Sequence, residues 1–139
     1  MTLAMNITST PEQVRHACEA LHGLCEQAGM ARTEVYQFEL CLAEALNNII
    51  EHAFGGKQDH SIHIDLSVDQ DYVAADVTYP TQQQWPAELL LEATLPMPID
   101  DELPERGFGN YLIKHLMDQI DITHQDGQTK IYFAKRREP

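Results

Sequence analysis

The chain has 139 residues, enough for one domain with a core that buries very roughly two thirds of the unfolded surface. Nine basic residues stand against 22 acidic ones, a net charge of −13, which argues against direct nucleic-acid binding because a basic face is the usual footprint there. No apolar run approaches the ~20 residues of a membrane span. Three cysteines without a CxxC pair, Cys18, Cys25 and Cys41, read as small buried hydrophobes, and with no leader segment they fit a reducing cytoplasm.

In chain order, Thr10-Pro11-Glu12-Gln13 combines an N-cap, a proline at the first helical position and a capping-box Gln13. Val14, Ala17, Cys18, Leu21, Leu24, Cys25 and Ala28 then recur at helical spacing up to Gly29. Thr33 can cap a second helix, whose stripe runs from Val35 through Phe38, Leu42, Ala45, Leu46 and Ile49 to a glycine stop at Gly55-Gly56. From Ile62 the period becomes two, and 61–79 reads as a hairpin turning at Asp69–Asp71, with Ile62, Ile64, Leu66, Val68, Val73, Ala75, Val77 and Tyr79 on one face.

Residues 80–105 hold five prolines and read as a long binding loop or lid, with a short helix near Pro86–Glu92. A helix begins after Gly107 and Gly109, with Leu112, Ile113, Leu116, Met117 and Ile120 inward. Asp121–His124, a turn at Asp126-Gly127 and Thr129–Lys135 form a second hairpin, and the tail Lys135-Arg-Arg-Glu-Pro139 reads as a frayed terminus. The order ααββ–loop–αββ predicts an α+β fold. A two-layer sandwich, a mixed, mostly antiparallel sheet with helices on one face, satisfies it as a single domain over 1–139.

Two segments carry chemistry. Glu44 and Asn48 are four apart, so they stack at the edge of the second helix's buried stripe. A carboxylate and a carboxamide there offer oxygens to a hard cation such as Mg²⁺, and the carboxylate can take a proton from a hydroxyl. The pair alone also fits a solvated helix edge. Gly107-Phe-Gly109 at a helix start lets an anion approach exposed amides, with Arg106 beside it. A GxG by itself equally fits a tight turn, and neither a Walker loop nor the dinucleotide fingerprint is present.

Together, "EALNNIIEHAF" resembles the N-box, and "GFGNYLIKHLMDQI" the second glycine box, of the gyrase, histidine kinase and heat-shock-chaperone ATPase superfamily. The opening "TPEQVRHACEALHGLCEQAGM" and the closing "DGQTKIYFAKR" bring the chain nearest to the small anti-sigma-factor serine kinases, a resemblance spanning about residues 7 to 135. That resemblance implies an ATP- and Mg²⁺-dependent serine/threonine kinase of a partner-switching pathway. Its partners would be a STAS-type antagonist of an anti-sigma factor and a sigma factor or another held target, and family members often dimerise. Glu44 matches the general base, Asn48 the Mg²⁺ ligand, Gly107 and Gly109 the lid hinge and phosphate contacts, and Thr129 the threonine that helps hold adenine. His52 occupies a common N-box position.

One segment departs from the family. The first glycine box should place an aspartate against the adenine amine. Asp76 can stand for it, but Thr78 then replaces the glycine. A shifted alignment puts Tyr79 or Pro80 at the aspartate. The alternative function is therefore a partner-binding module of the same fold with a degenerate nucleotide site.

Overall fold

The computed structural model describes residues 1–80 and 113–138. The long loop, the short helix near Pro86–Glu92, Arg106 and the glycines Gly107 and Gly109 lie outside the described residues. Strand β1 (Thr2–Thr8) leads into helices α1 (Pro11–Gln27) and α2 (Arg32–Asn48), and α2 runs directly into a π-helical turn, Ile49–Ala53. Strands β2 (Ser61–Val68) and β3 (Tyr72–Pro80) follow, then a helical segment at 113–116, β4 (Gln119–Gln125) and β5 (Gln128–Arg136). The sheet order is β1-β2-β3-β5-β4, and every described pairing is antiparallel. The α+β sandwich is thus observed, with an antiparallel sheet rather than a mixed one.

Thr10 caps α1 as expected, its hydroxyl accepting from the Gln13 N–H at 3.2 Å. The reciprocal half of the capping box is absent, because the Gln13 amide turns to the His16 ring instead. Helix α2 starts one residue before Thr33, and its N-cap is Ala31, which has no side-chain acceptor. Thr33 therefore sits inside the first turn and is exposed.

The helices cover one face of the sheet. Leu21, Cys25, Phe38, Cys41, Leu42, Leu46 and Ile49 are sealed against Ile62, Ile64, Val73, Ala75, Val77, Ile131 and Phe133. Each large apolar side chain buried there stabilises the fold by roughly 1.5–3 kcal/mol. Phe38 of α2 meets Phe133 of β5 with ring centroids 5.3 Å apart, tilted by 37°, a favourable aromatic arrangement that fixes helix over sheet.

Three further expectations change. Strand β1 is additional to the predicted elements: Leu3, Met5 and Ile7 alternate inward, but only Ile7 is buried, so the signal is that of a half-exposed edge strand. Ile120 belongs to β4, not to the preceding helix, because Asp118 N–H already donates to the Ala134 carbonyl at 2.9 Å and starts the ladder. The tail is not frayed through residue 138. Arg136 completes β5, Arg137 donates to the Ala28 carbonyl at 3.0 Å and to that of Asp69, and Glu138 N–H donates to buried Glu34 at 2.9 Å.

Both predicted turns form. Asp69 Oδ1 accepts from the N–H groups of Asp71 and Tyr72, each at 2.7 Å, and these donors hold its carboxyl below the usual range. Asp126 and Gly127 both take positive φ, 53° and 75°, the geometry that the right-handed twist of a two-residue hairpin favours.

Candidate active site

Helix α2 carries the candidate pair. Leu42, Ala45, Leu46 and Ile49 are buried against the sheet, so helical periodicity leaves Glu44 and Asn48 at the margin of the stripe, half-buried and one turn apart. Asn47 is exposed on another side. Burial pushes the Glu44 carboxyl above its ordinary value. A partly desolvated carboxylate is a stronger proton acceptor than one in water, which suits a base acting on a hydroxyl.

Directly after Asn48 the helix widens. Phe54 N–H donates to the Ile49 carbonyl at 3.1 Å, five residues back. The wider turn lets Ile49 and Phe54 both face the core, while Glu51 and His52 stay outside. Such π turns are rare and gather at functional sites. Here it comes immediately after the proposed metal ligand. The His52 ring is 4.0 Å from the Glu51 carboxylate, on the solvent side. Gly55 and Gly56 then end the helix with φ of 60° and 81°.

The turn delivers Phe54 to the end of β3, where its ring lies 6.0 Å from that of Tyr79, edge to face at 88°. Phe54 also packs against the His60 ring, with centroids 4.3 Å apart and the planes tilted by 59°. Buried Ser9 pins this corner: its hydroxyl donates to the Lys57 carbonyl at 2.6 Å and accepts from His60 N–H at 3.2 Å. Across the sheet from Tyr79 is Thr129, and beyond it His124. Thr129 is buried, with its hydroxyl 2.9 Å from His124 Nδ1. Thr129 therefore lies on the same face of the sheet as the helices that carry Glu44 and Asn48.

Asp76 does not join them. It sits between the inward-facing Ala75 and Val77, so its side chain lies on the opposite, outer face. There it forms a cross-sheet row with Asp65, Tyr132 and Asp121. Burial raises its carboxyl, Lys130 opposes that shift and Asp65 adds to it. A shallow outer concavity of about 450 Å³, lined by His63, Asp65, Thr78 and Lys130 among others, includes neither Glu44 nor Asn48. The inward position at the strand end belongs to Tyr79, 2% exposed. Strand parity in the sequence already carried this signal, because Tyr79 alternates with Val73, Ala75 and Val77 and Asp76 does not. The π turn had no comparable sequence signature.

Among the described residues, no group of three or more His, Cys, Asp or Glu side chains is disposed to hold a metal. Asn48 and Glu44 offer a carboxamide and a carboxylate oxygen one turn apart. That set fits Mg²⁺, which takes one or two protein ligands and completes its octahedron with water and phosphate.

A two-layer sandwich whose second helix carries a carboxylate and a carboxamide at the sheet-facing margin is the architecture of a histidine kinase-like ATPase domain. The model of that family matches residues 7–135, and the chain belongs to it. Its curated relatives include the serine-protein kinase RsbW of Oceanobacillus iheyensis, 26% identical over 129 residues, covering 90% of this chain and 80% of that protein. RsbW of Bacillus thuringiensis is 26% identical over 137 residues, covering 91% of this chain and 80% of its own length. Among solved structures, the chain resembles one containing the RsbU and RsbW domains of a Mycobacterium tuberculosis protein, with a TM-score of 0.68 and 14% identity over 99% of this chain and 32% of that one. It also resembles a chain of the SiaB–SiaC complex from Pseudomonas aeruginosa, with a TM-score of 0.64 and 13% identity over 96% of this chain and 89% of that one. At such identities the structural likeness speaks for the fold. No described helix is long and apolar enough to cross a membrane.

Proposed function

We propose that the chain is an ATP- and Mg²⁺-dependent serine/threonine protein kinase in a partner-switching pathway. The observation that carries this reading is Glu44: half-buried, with its carboxyl raised by burial, and one helical turn from Asn48. Glu44 accepts the proton of a substrate serine or threonine hydroxyl. Asn48 holds the metal, which when bound neutralises phosphate charge. Thr129 helps hold the adenine, and Arg106, Gly107 and Gly109 meet the phosphates. Catalysis in such a site is mostly positioning and electrostatics. RsbW relatives named as serine-protein kinases support the reaction class. The substrate is a STAS-type antagonist: unphosphorylated, it competes with a sigma factor or another target for this cytoplasmic, dimerising kinase, and phosphorylation releases the antagonist so that the kinase holds the target again.

The outward turn of Asp76 favours a second reading, a partner-binding module without nucleotide chemistry. Calorimetric titration with ATP, with and without Mg²⁺, separates the two. Mg²⁺-dependent binding at micromolar to sub-millimolar nucleotide is expected, and no binding up to millimolar would leave only the second reading. In the kinase, Glu44→Gln should lower transfer of the γ-phosphate by roughly 10²–10⁴-fold while nucleotide binding persists. A variant as active as the parent would remove Glu44 from the mechanism.

A further inference from the structure

Among the described residues the sheet ends at β1 on one side and β4 on the other, and the two edges differ in charge. Strand β4 carries Asp121 and is flanked by Asp118 and Asp126. From Thr2 to Pro11 no side chain is charged, in a chain of net charge −13. Charges, prolines and bulges are what keep an edge strand from pairing with another chain. Strand β1 has no charge or proline, and its register with β2 is unbroken.

The ladder fixes which backbone groups point outward. Met1 and Val68 exchange both bonds, each at 2.8 Å, so the odd-numbered residues of β1 bond to β2. The N–H and C=O groups of Thr2, Ala4, Asn6 and Thr8 therefore face away from the sheet. Of these, the Thr8 carbonyl accepts from the Thr10 N–H at 2.8 Å. Ala4 and Asn6 are exposed. On the inner face of the same edge, Met1 and Leu3 are 52% and 37% exposed and leave an apolar strip uncovered.

We infer that β1 is the dimer surface of this protein, pairing antiparallel with β1 of a second copy to form one continuous sheet. This rests on the dimerising reading above and on none of its nucleotide chemistry. The strand is close to its own complement. About a two-fold axis at Met5, Ala4 of one copy exchanges both backbone bonds with Asn6 of the other, and symmetry repeats the pair. Leu3 then lies beside Ile7 of the other copy and the apolar strip is covered. Charge selects the same edge. Two chains of net charge −13 repel over most of their surface, and here they meet at an uncharged strand. The first strand carboxylate in from the edge is Asp65, opposite Ala4 on β2. It comes no closer to its copy than three strand spacings, about 14 Å, which exceeds the screening length at physiological salt.

The test is sedimentation equilibrium of the full chain up to about 100 µM, a range that detects even a weak association, with amide exchange read by NMR. The parent should sediment at twice the mass of one chain, and the Ala4 and Asn6 amides should exchange slowly although no bond to β2 protects them. Ala4→Pro removes an outward N–H, a change an edge strand tolerates. Leu3→Lys keeps every backbone bond and sets a charge beside Ile7 of the other copy. Ala4→Pro should weaken dimerisation by about tenfold or more, since symmetry removes two bonds at once, and Leu3→Lys should weaken it in the same direction. Circular dichroism checks that each variant is folded, and if Ala4→Pro is not, Leu3→Lys decides. A parent that stays monomeric would overturn the inference together with the dimer it rests on, and leave the nucleotide reading standing. A parent dimer undiminished in a folded variant, or with fast exchange at Ala4 and Asn6, would put the interface elsewhere and overturn the inference alone.

Discussion

Truncating the chain after Arg136 should destabilise it by far more than loss of a disordered tail. The Arg137 guanidinium donates to the carbonyls of Ala28 and Asp69, and the Arg137 backbone N–H donates to the Asp71 carbonyl at 2.7 Å. The Glu138 N–H donates to the Glu34 carboxylate at 2.9 Å. These bonds tie the α1–α2 turn, the β2–β3 turn and the first turn of α2 to one short segment. A neutral hydrogen bond nets about 1 kcal/mol and one to a charged group about 1.5–3 kcal/mol. Glu34 is 3% exposed, so its carboxylate would lose a donor where water replaces it poorly, and that bond belongs at the upper end of the range. Arg137 is half-buried, and its bonds are discounted for competition with water. The sum is about 3–4 kcal/mol. At ~3 °C per kcal/mol for a chain of this size, the melting temperature should fall by about 10 °C. Calorimetric or circular-dichroism melts of the full chain and of one ending at Arg136 measure this directly. Glu34→Gln, which keeps an acceptor oxygen, should fall less than the truncation. A truncated chain melting within ~2 °C of the parent would refute the reasoning, because those bonds would then be worth no more than the ones water supplies.

Further outcomes are expected. Because burial raises the Glu44 carboxyl, the acidic limb of the phosphoryl-transfer profile should lie above the ordinary glutamate value of 4.5. A limb at 4.5 would show that another group controls the rate. The same penalty on the charged form predicts that Glu44→Gln raises the melting temperature at neutral pH while slowing transfer, and a lower melting temperature would contradict it. His22 bridges α1 and α2, 3.5 Å from Glu39 and 3.1 Å from Glu26, and these bonds, Glu39 first, raise its pKa. Its contribution is complete below the unfolded value of 6.5 and disappears as pH rises through the higher folded value. His22→Ala should therefore lower the melting temperature at pH 5.5 and leave it nearly unchanged at pH 9, and equal losses at both would rule out the ion pairs. Phe38→Ala removes a fully buried ring stacked on Phe133 and should reduce the free energy of unfolding by roughly 3–5 kcal/mol in a urea titration.

Much of this molecule is local and could be read along the chain. The apolar stripe of α1, the cap at Thr10, the alternation of 61–79 and the Asp126-Gly127 turn each depend on residues within a few positions of one another, so periodicity and turn chemistry report them. The same locality brings Glu44 and Asn48 onto one edge of α2, since four residues make one turn. Strand parity also contained the inward Tyr79 and the outward Asp76, although motif alignment alone had left the choice open.

Other features needed the packed chain. Glu34 looks like an ordinary first-turn acid, and it is buried because a segment 104 residues away folds back to donate to it. The π turn after Asn48 follows no residue pattern. It arises where Ile49 and Phe54 must both reach the core, a requirement set by the sheet below and not by the helix itself. The Tyr79–Thr129–His124 row joins the β4–β5 hairpin to β3, a strand about 50 residues earlier, and only the β3-β5-β4 order brings Tyr79 beside Thr129. Helical and strand periodicity decided which faces of this protein are buried. The long-range pairing of those faces decided which polar side chains meet, because hydrogen bonds between distant segments exist only after the sheet has closed the gaps between them.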